Sequence, residues 1–295
     1  MTCLSPIDIK INDEVNECSL KCNLIHNYSI AEPNLKMKNN TDYLSYTVAT
    51  PSDNIAKLDN DIYYLNELQI YSPSIHQYNS KTQIGELLMI HTNPNNSSHE
   101  LIISIPISQT GASVADVGFS NLLSISKTQI PTESTGYRTA LIPSLNFNNL
   151  IGKKGYYTYE GNHINYCSQK AHYIVFYPST FALFISNDYL SNNLISILKK
   201  SDIEVQDNNN YFFNKNGANS FNIGDGVYMD CVAVNTSDDT IQVPVYSNSF
   251  VDSSSGKIIL QMVIIFSVLS IVFLIIYLCV IKTFTIFKNR TNIVD

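Results

Sequence analysis

Over the first 234 residues, apolar side chains come in short runs or alternate with polar ones, and rarely recur at helical spacing. Segments 43–50 (YLSYTVAT), 62–71 (IYYLNELQIY), 85–92 (GELLMIHT), 99–108 (HELIISIPIS) and 172–177 (HYIVFY) have strand length. They are rich in β-branched and aromatic residues and are set apart by clusters of Asn, Ser, Pro or Gly. Two stretches carry the helical period instead: 118–127 (GFSNLLSISK) and 187–200 (NDYLSNNLISILKK), where Leu190, Leu194, Ile197 and Leu198 share one face. The pattern predicts one domain over 1–234, a predominantly antiparallel twisted β-sheet with a few short surface helices. No internal repeat and no glycine-rich phosphate loop interrupts it.

Beyond that domain the pattern changes twice. Residues 235–257 are polar and serine-rich, which is linker composition. Residues 258–281 then run without a charge, from IILQMVIIF to IIYLCVI. About 20 apolar residues suffice for a helix to cross a hydrocarbon core, so this segment predicts a single transmembrane helix. Lys282, Lys288 and Arg290 follow it, and positive charge collects on the cytoplasmic side. The tail 282–295 is therefore expected inside and the 1–234 domain outside. The opening MTCLSPIDIKINDE has no basic region followed by an apolar run, so no secretory leader is expected.

Charge narrows the partners. Of 18 Lys and Arg and 25 Asp and Glu, four and one respectively fall from residue 257 onward, leaving a net −10 over 1–256. Such a field repels polyanions at long range, which argues against nucleic acid. Five cysteines lie outside the apolar segment: Cys3, Cys18, Cys22, Cys167 and Cys231. None has zinc-finger spacing to a His, and one disulfide or none is expected.

Several motifs in order resemble the α-carbonic anhydrase family. Ser5-Pro6-Ile7-Asp8-Ile9 is similar to its opening QSPINI. The stretch 67–91, ELQIYSPSIHQYNSKTQIGELLMIH, resembles QFHFHxPSEHxxNGKxxxxEMHLVH, with Pro73, Ser74, His76, Asn79, Lys81, Glu86 and His91 on matching positions. Residues 155–161 resemble the YxTYxG segment, and His172 to Phe176 stand where WIVF is usual. The resemblance implies the fold of that family and, in its enzymes, a zinc ion held by three histidines: two alternating on one strand and one on its neighbour. Here those positions are Gln69, Tyr71 and Leu88. Three neutral imidazoles leave zinc a fourth position for a water of pKa about 7, and an amide, a phenol and an aliphatic group do not. The family's TTPP loop is replaced by His163-Ile164-Asn165-Tyr166. His76 and His91 match histidines that are not ligands and are expected to be structural. No cofactor, and no enzymatic activity, is expected.

Within the family, the layout of one domain, one C-terminal span and a short basic tail resembles the catalytically inactive members on poxvirus virion membranes. Leu4-Ser5-Pro6-Ile7, Leu68-Gln69-Ile70-Tyr71 and Ile164-Asn165 also resemble that branch. The resemblance implies a viral envelope protein that attaches to a host-cell glycosaminoglycan such as chondroitin sulfate through a basic crevice. Lys81, Arg138, Lys153, Lys154 and Lys170 are the candidate glycan contacts. The net −10 and the scarcity of Arg oppose that role. A host protein receptor, a purely structural envelope role and a residual carbonic anhydrase are the alternatives.

Overall fold

The computed structural model describes residues 3–11, 15–18, 22–110, 113–131, 136–186, 198, 203–207 and 210–220. All of them belong to one compact unit, Met1–Val227. The expected linker, span and tail, and the helix expected at 187–200 apart from Leu198, lie outside the described residues. No described helix is long and apolar enough to cross a membrane.

Sixteen strands are present among the described residues. The first eight are β1 (Asp8–Ile9), β2 (Leu24–Tyr28), β3 (Asn34–Asn39), β4 (Tyr43–Val48), β5 (Asn54–Leu58), β6 (Asp61–Tyr71), β7 (Gln77–Tyr78) and β8 (Gly85–Asn93). After β9 (Asn96–Ser108) and β10 (Ser113–Val114) comes the helix α1 (Val117–Gln129). The chain continues through β11 (Arg138–Leu141), β12 (Tyr156–His163), β13 (Tyr166–Phe176), β14 (Ala182–Phe184), β15 (Phe212–Asn214) and β16 (Asn219–Ser220). The main sheet runs β11-β3-β4-β6-β8-β9-β13-β12-β15, with β1 and β7 as a separate pair. Most neighbours are antiparallel, and β13 lies parallel to β9. All five strands expected from the alternation are present, and the helix expected at 118–127 forms as α1.

Alternation divides the side chains between two faces. On β6, Leu68 and Ile70 enter a large rear core with Met89, Ile103, Ile174 and Phe119 of α1. Tyr71 enters a smaller front core with Leu88, Ile102, Tyr159 and Tyr173. A bulge between Leu65 and Glu67 resets the pattern, so that both Leu65 and Leu68 face the rear. α1 starts at an N-cap, where the Asp116 carboxylate accepts from the Phe119 N–H at 2.7 Å. The helix lies so close to the following loop that a Cβ on Gly118 would be 2.4 Å from the Ser144 carbonyl oxygen.

The chain has no Trp and 19 Tyr, and tyrosines fill both cores. Several of their hydroxyls are partnered, as burial demands: Tyr46 with Ser126 at 2.9 Å, and Tyr173 donating to the Asn162 carbonyl at 2.7 Å, whereas the buried Tyr78 hydroxyl has no partner among the described residues. Two disulfides form among the described residues, Cys3–Cys167 and Cys18–Cys22, where the sequence led us to expect one at most. The first pair is 164 residues apart in sequence. It meets because the N-terminal segment is tied to the end of β12, with Leu4 N–H donating to Asn162 Oδ1 and Asn162 N–H to Ser5 Oγ.

Candidate functional site

Register builds the front face in rows. Lys38, Ser45, Gln69, Leu88 and Ser104 stand side by side across β3, β4, β6, β8 and β9. The next row is Lys36, Thr47, Glu67, Ile90, Ile102 and Tyr173. Gln69 and Tyr71 thus point to one side of β6, and Leu88 is paired directly with Gln69. That is the two-plus-one arrangement that a three-ligand metal site needs, filled with other side chains.

Those side chains satisfy one another. The Tyr71 hydroxyl donates to Gln69 Oε1 at 2.9 Å, and Gln69 Nε2 donates to Glu67 Oε1 at 3.3 Å. Burial pushes the Tyr71 phenol well above its ordinary value, so it stays protonated. Leu88 is fully buried and has no donor atom to offer a metal. The donor set does not fit zinc.

Beneath this row a second network is intact. His76 is fully buried, with Nδ1 2.6 Å from Glu86 Oε1 and Nε2 2.7 Å from the Tyr159 hydroxyl. Glu86 also accepts from the Ile75 and His76 backbone N–H groups and from the Ser104 hydroxyl. Burial alone would raise the Glu86 carboxyl, but the His76 ring and these bonds outweigh it and hold the group below its ordinary value. His91 is buried behind the sheet. Its Nδ1 faces the Met89 and Leu101 carbonyls at 3.0 and 3.1 Å and therefore carries the proton, while Nε2 accepts from the Tyr28 hydroxyl at 2.9 Å. Both histidines are structural, as expected.

The two remaining sequence-marked histidines lie on opposite faces. His172 points to the rear, bonded to Thr158 Oγ1 at 2.6 Å. There it lines an open cleft of about 700 Å³ with Tyr63, His99 and Glu160. His163 points to the front. Its Nδ1 accepts from the Asn165 N–H at 3.1 Å, so Nε2 carries the hydrogen, and Nε2 lies 3.7 Å from Glu100 Oε2. Burial lowers both rings to about 4. Glu100 is pushed up to about 7, by burial first and then by Glu67. Glu67 is itself raised by burial, partly offset by bonds from Gln69 and Ser45 and by the charge of Lys38.

The five candidate glycan contacts are exposed but dispersed. Arg138 begins the edge strand β11, and Lys170 lies on β13, six strands away and on the rear-facing side. At ~4.8 Å per strand the two are about 29 Å apart. Lys153 and Lys154 precede β12, and Lys153 lies near His26. Lys81 turns beside β7. The basic residues that do share the front face are Lys36 and Lys38, which sequence reasoning missed. Their alternation in NLKMKN, between the buried Leu35 and Met37, was the available signal. Glu100 was also legible, as the lone acid heading an apolar strand.

No protein-family model matches the sequence, and no curated protein matches it. Among solved structures the chain is similar to an α-carbonic anhydrase from Thermovibrio ammonificans in complex with the inhibitor sulfanilamide. The two are 19% identical over 72% of this chain and 86% of that one, with a TM-score of 0.57. A fungal α-carbonic anhydrase from Aspergillus oryzae is 17% identical over 70% and 82%, with a TM-score of 0.56. Dioscorin, solved with ascorbate, is 17% identical over 72% and 86%, also with a TM-score of 0.56. At this level of identity the likeness shows the α-carbonic anhydrase fold alone.

Proposed function

We propose that this chain uses an α-carbonic anhydrase fold as a non-enzymatic binding domain, which attaches a virion membrane to the surface of a host cell. One observation carries the reading: where the fold's enzymes need three imidazoles, the paired strands present Gln69, Tyr71 and Leu88, already bonded or packed among themselves. A zinc-bound hydroxide cannot be generated there, since nothing lowers the pKa of a water.

Lys36 and Lys38 support a glycosaminoglycan as the surface ligand. They stand one row apart on the exposed end of the front face, beside the hydroxyl-bearing Ser45 and Thr47. Lysine ammonium groups form charge-assisted hydrogen bonds to sulfate. Lys36 Nζ also lies 3.9 Å from the Tyr137 ring centroid, which holds that cation at the sheet edge. Because the net charge is repulsive, such binding is local and strongly screened by salt.

The test uses the full chain purified in detergent, assayed for metal content, CO₂ hydration and adsorption to cells. The expected result is no stoichiometric zinc, no hydration activity, and adsorption that falls in high salt and in the K36E/K38E variant. Stoichiometric zinc with sulfonamide-sensitive hydration would overturn the non-enzymatic reading. Undiminished adsorption to cells lacking glycosaminoglycans would replace the glycan with a protein receptor.

A further inference from the structure

Glu100 presents an electrostatic problem that the described residues leave unsolved. Its side chain is 7% exposed, and its Oε2 accepts no hydrogen bond. His163 Nε2–H is 3.7 Å away, too far for a bond, and the Gln169 amide that favours the charged carboxyl does not serve this oxygen. A buried carboxylate oxygen without a donor is costly, so the geometry is short of one donor aimed at this oxygen. On the same face Glu67 adds a second carboxylate close enough to repel the first. Among the described residues neither carboxylate has a Lys or Arg within ion-pair distance, and Lys38 acts on Glu67 only from further off.

Aromatic rings stand beside these carboxylates on the same face. Tyr43 stacks on Tyr71 at 5.1 Å and His163 on Tyr166 at 5.0 Å, with Tyr166 61% exposed at the rim. Burial, then Glu67 and Tyr166, push the Tyr43 phenol up to about 12, which places those three groups within reach of one another. Ring faces attract cations, and the attraction grows as water is removed. Carboxylates and π-faces together repel an anion and suit a cation. Among the described residues no group of three His, Cys, Asp or Glu is placed to hold a metal ion. An ammonium group needs only hydrogen-bond acceptors and a ring face, and both are present.

We propose that the cluster of Glu67, Glu100 and His163 on the front face, edged by Tyr43, Tyr71 and Tyr166, binds an alkylammonium group, as carried by a lysine side chain or a small amine. The ammonium N–H donates to Glu100 Oε2 and to the Glu67 carboxylate, while Tyr166 covers it from the rim. His163 stays neutral and supplies no competing charge. The inference does not depend on attachment to glycans, which involves Lys36 and Lys38 on β3, two strands from Glu67.

Binding is coupled to one proton. The titratable and charged groups facing Glu100 are Glu67 from β6, His163 from β12 and Tyr173 from β13; those facing Glu67 are Lys38 from β3 and Tyr43 from β4. Below about pH 7 Glu100 carries a proton that the cation must displace, so affinity rises with pH and levels off above that value. Titrating the full chain in detergent with n-butylammonium chloride by calorimetry tests this. Saturable one-to-one binding is expected, about tenfold tighter at pH 8 than at pH 6. Glu100→Gln keeps the shape, and should weaken binding at pH 8 at least tenfold and abolish its pH dependence. Tyr166→Leu, at a ring 61% exposed, should weaken binding roughly threefold. Absence of saturation, equal binding of n-butanol, or a Glu100→Gln protein that binds as tightly as the parent would overturn the proposal.

Discussion

Lowering the pH from 7 to 5 tests the buried histidines directly, and the magnitude follows from their surroundings. His91 is fully buried, its Nδ1–H faces two carbonyls, and Nε2 holds the Tyr28 hydroxyl. Protonating Nε2 breaks that bond and puts a charge in the core, which is why burial lowers the ring to about 4 from 6.5. A histidine whose folded pKa is depressed contributes stability that is present above the unfolded value and is lost as pH falls towards the folded one. Between pH 7 and 5 that loss is about 1.8 kcal/mol for one such ring. His172, lowered to about 4 and bonded to Thr158, contributes a similar loss. His163 adds a third, but its neighbour Glu100 runs the other way. With its pKa raised to about 7, Glu100 favours the folded state as pH falls, by about 2 kcal/mol over the same interval. That pair nearly cancels, leaving a net loss of roughly 3.6 kcal/mol. Urea unfolding of the full chain in detergent, followed by far-UV circular dichroism, should show a midpoint lower at pH 5 than at pH 7 by about 1.5–2 M. His172→Gln should remove about half of the difference. Stability that is flat or rising between pH 7 and pH 5 would refute the argument.

Two further predictions probe the floor of the face. Tyr159→Phe removes the hydroxyl that meets His76 Nε2 and leaves a buried ring nitrogen without a partner, so it should cost about 1–3 kcal/mol by chemical unfolding with the fold retained. The triple variant Gln69→His/Tyr71→His/Leu88→His restores three imidazoles to the matching register, and metal analysis should find one zinc per chain; a folded variant that holds none would show that the strand register is wrong.

The hydrophobic pattern by itself located β4, β6, β8, β9, β13 and α1, because each is long enough for its period to stand out from composition. It was weaker for β2, β3 and β12, where polar and charged residues interleave with apolar ones. The alternation of Gln69 and Tyr71 is a property of one strand and was legible from spacing. That Leu88 lies on the neighbouring strand followed only from the matched motif, and its direct pairing with Gln69 is a matter of β6–β8 register.

What no local pattern contained was the assembly across strands. Glu100 meets His163 because β13, paired to β12, lies parallel to β9. Lys36 and Lys38 reach the front face through the β3–β4–β6 register, and Cys3 meets Cys167 through the ties between the N-terminal segment and β12. The sequence alone determined which residues could face a core and, through its resemblance to the α-carbonic anhydrases, which residues to expect at the three imidazole positions, Gln69, Tyr71 and Leu88. Tertiary structure alone decided which charges share a face, because facing depends on strand order, register and the bulge at Leu65–Glu67, which are settled by the packing of the whole sheet.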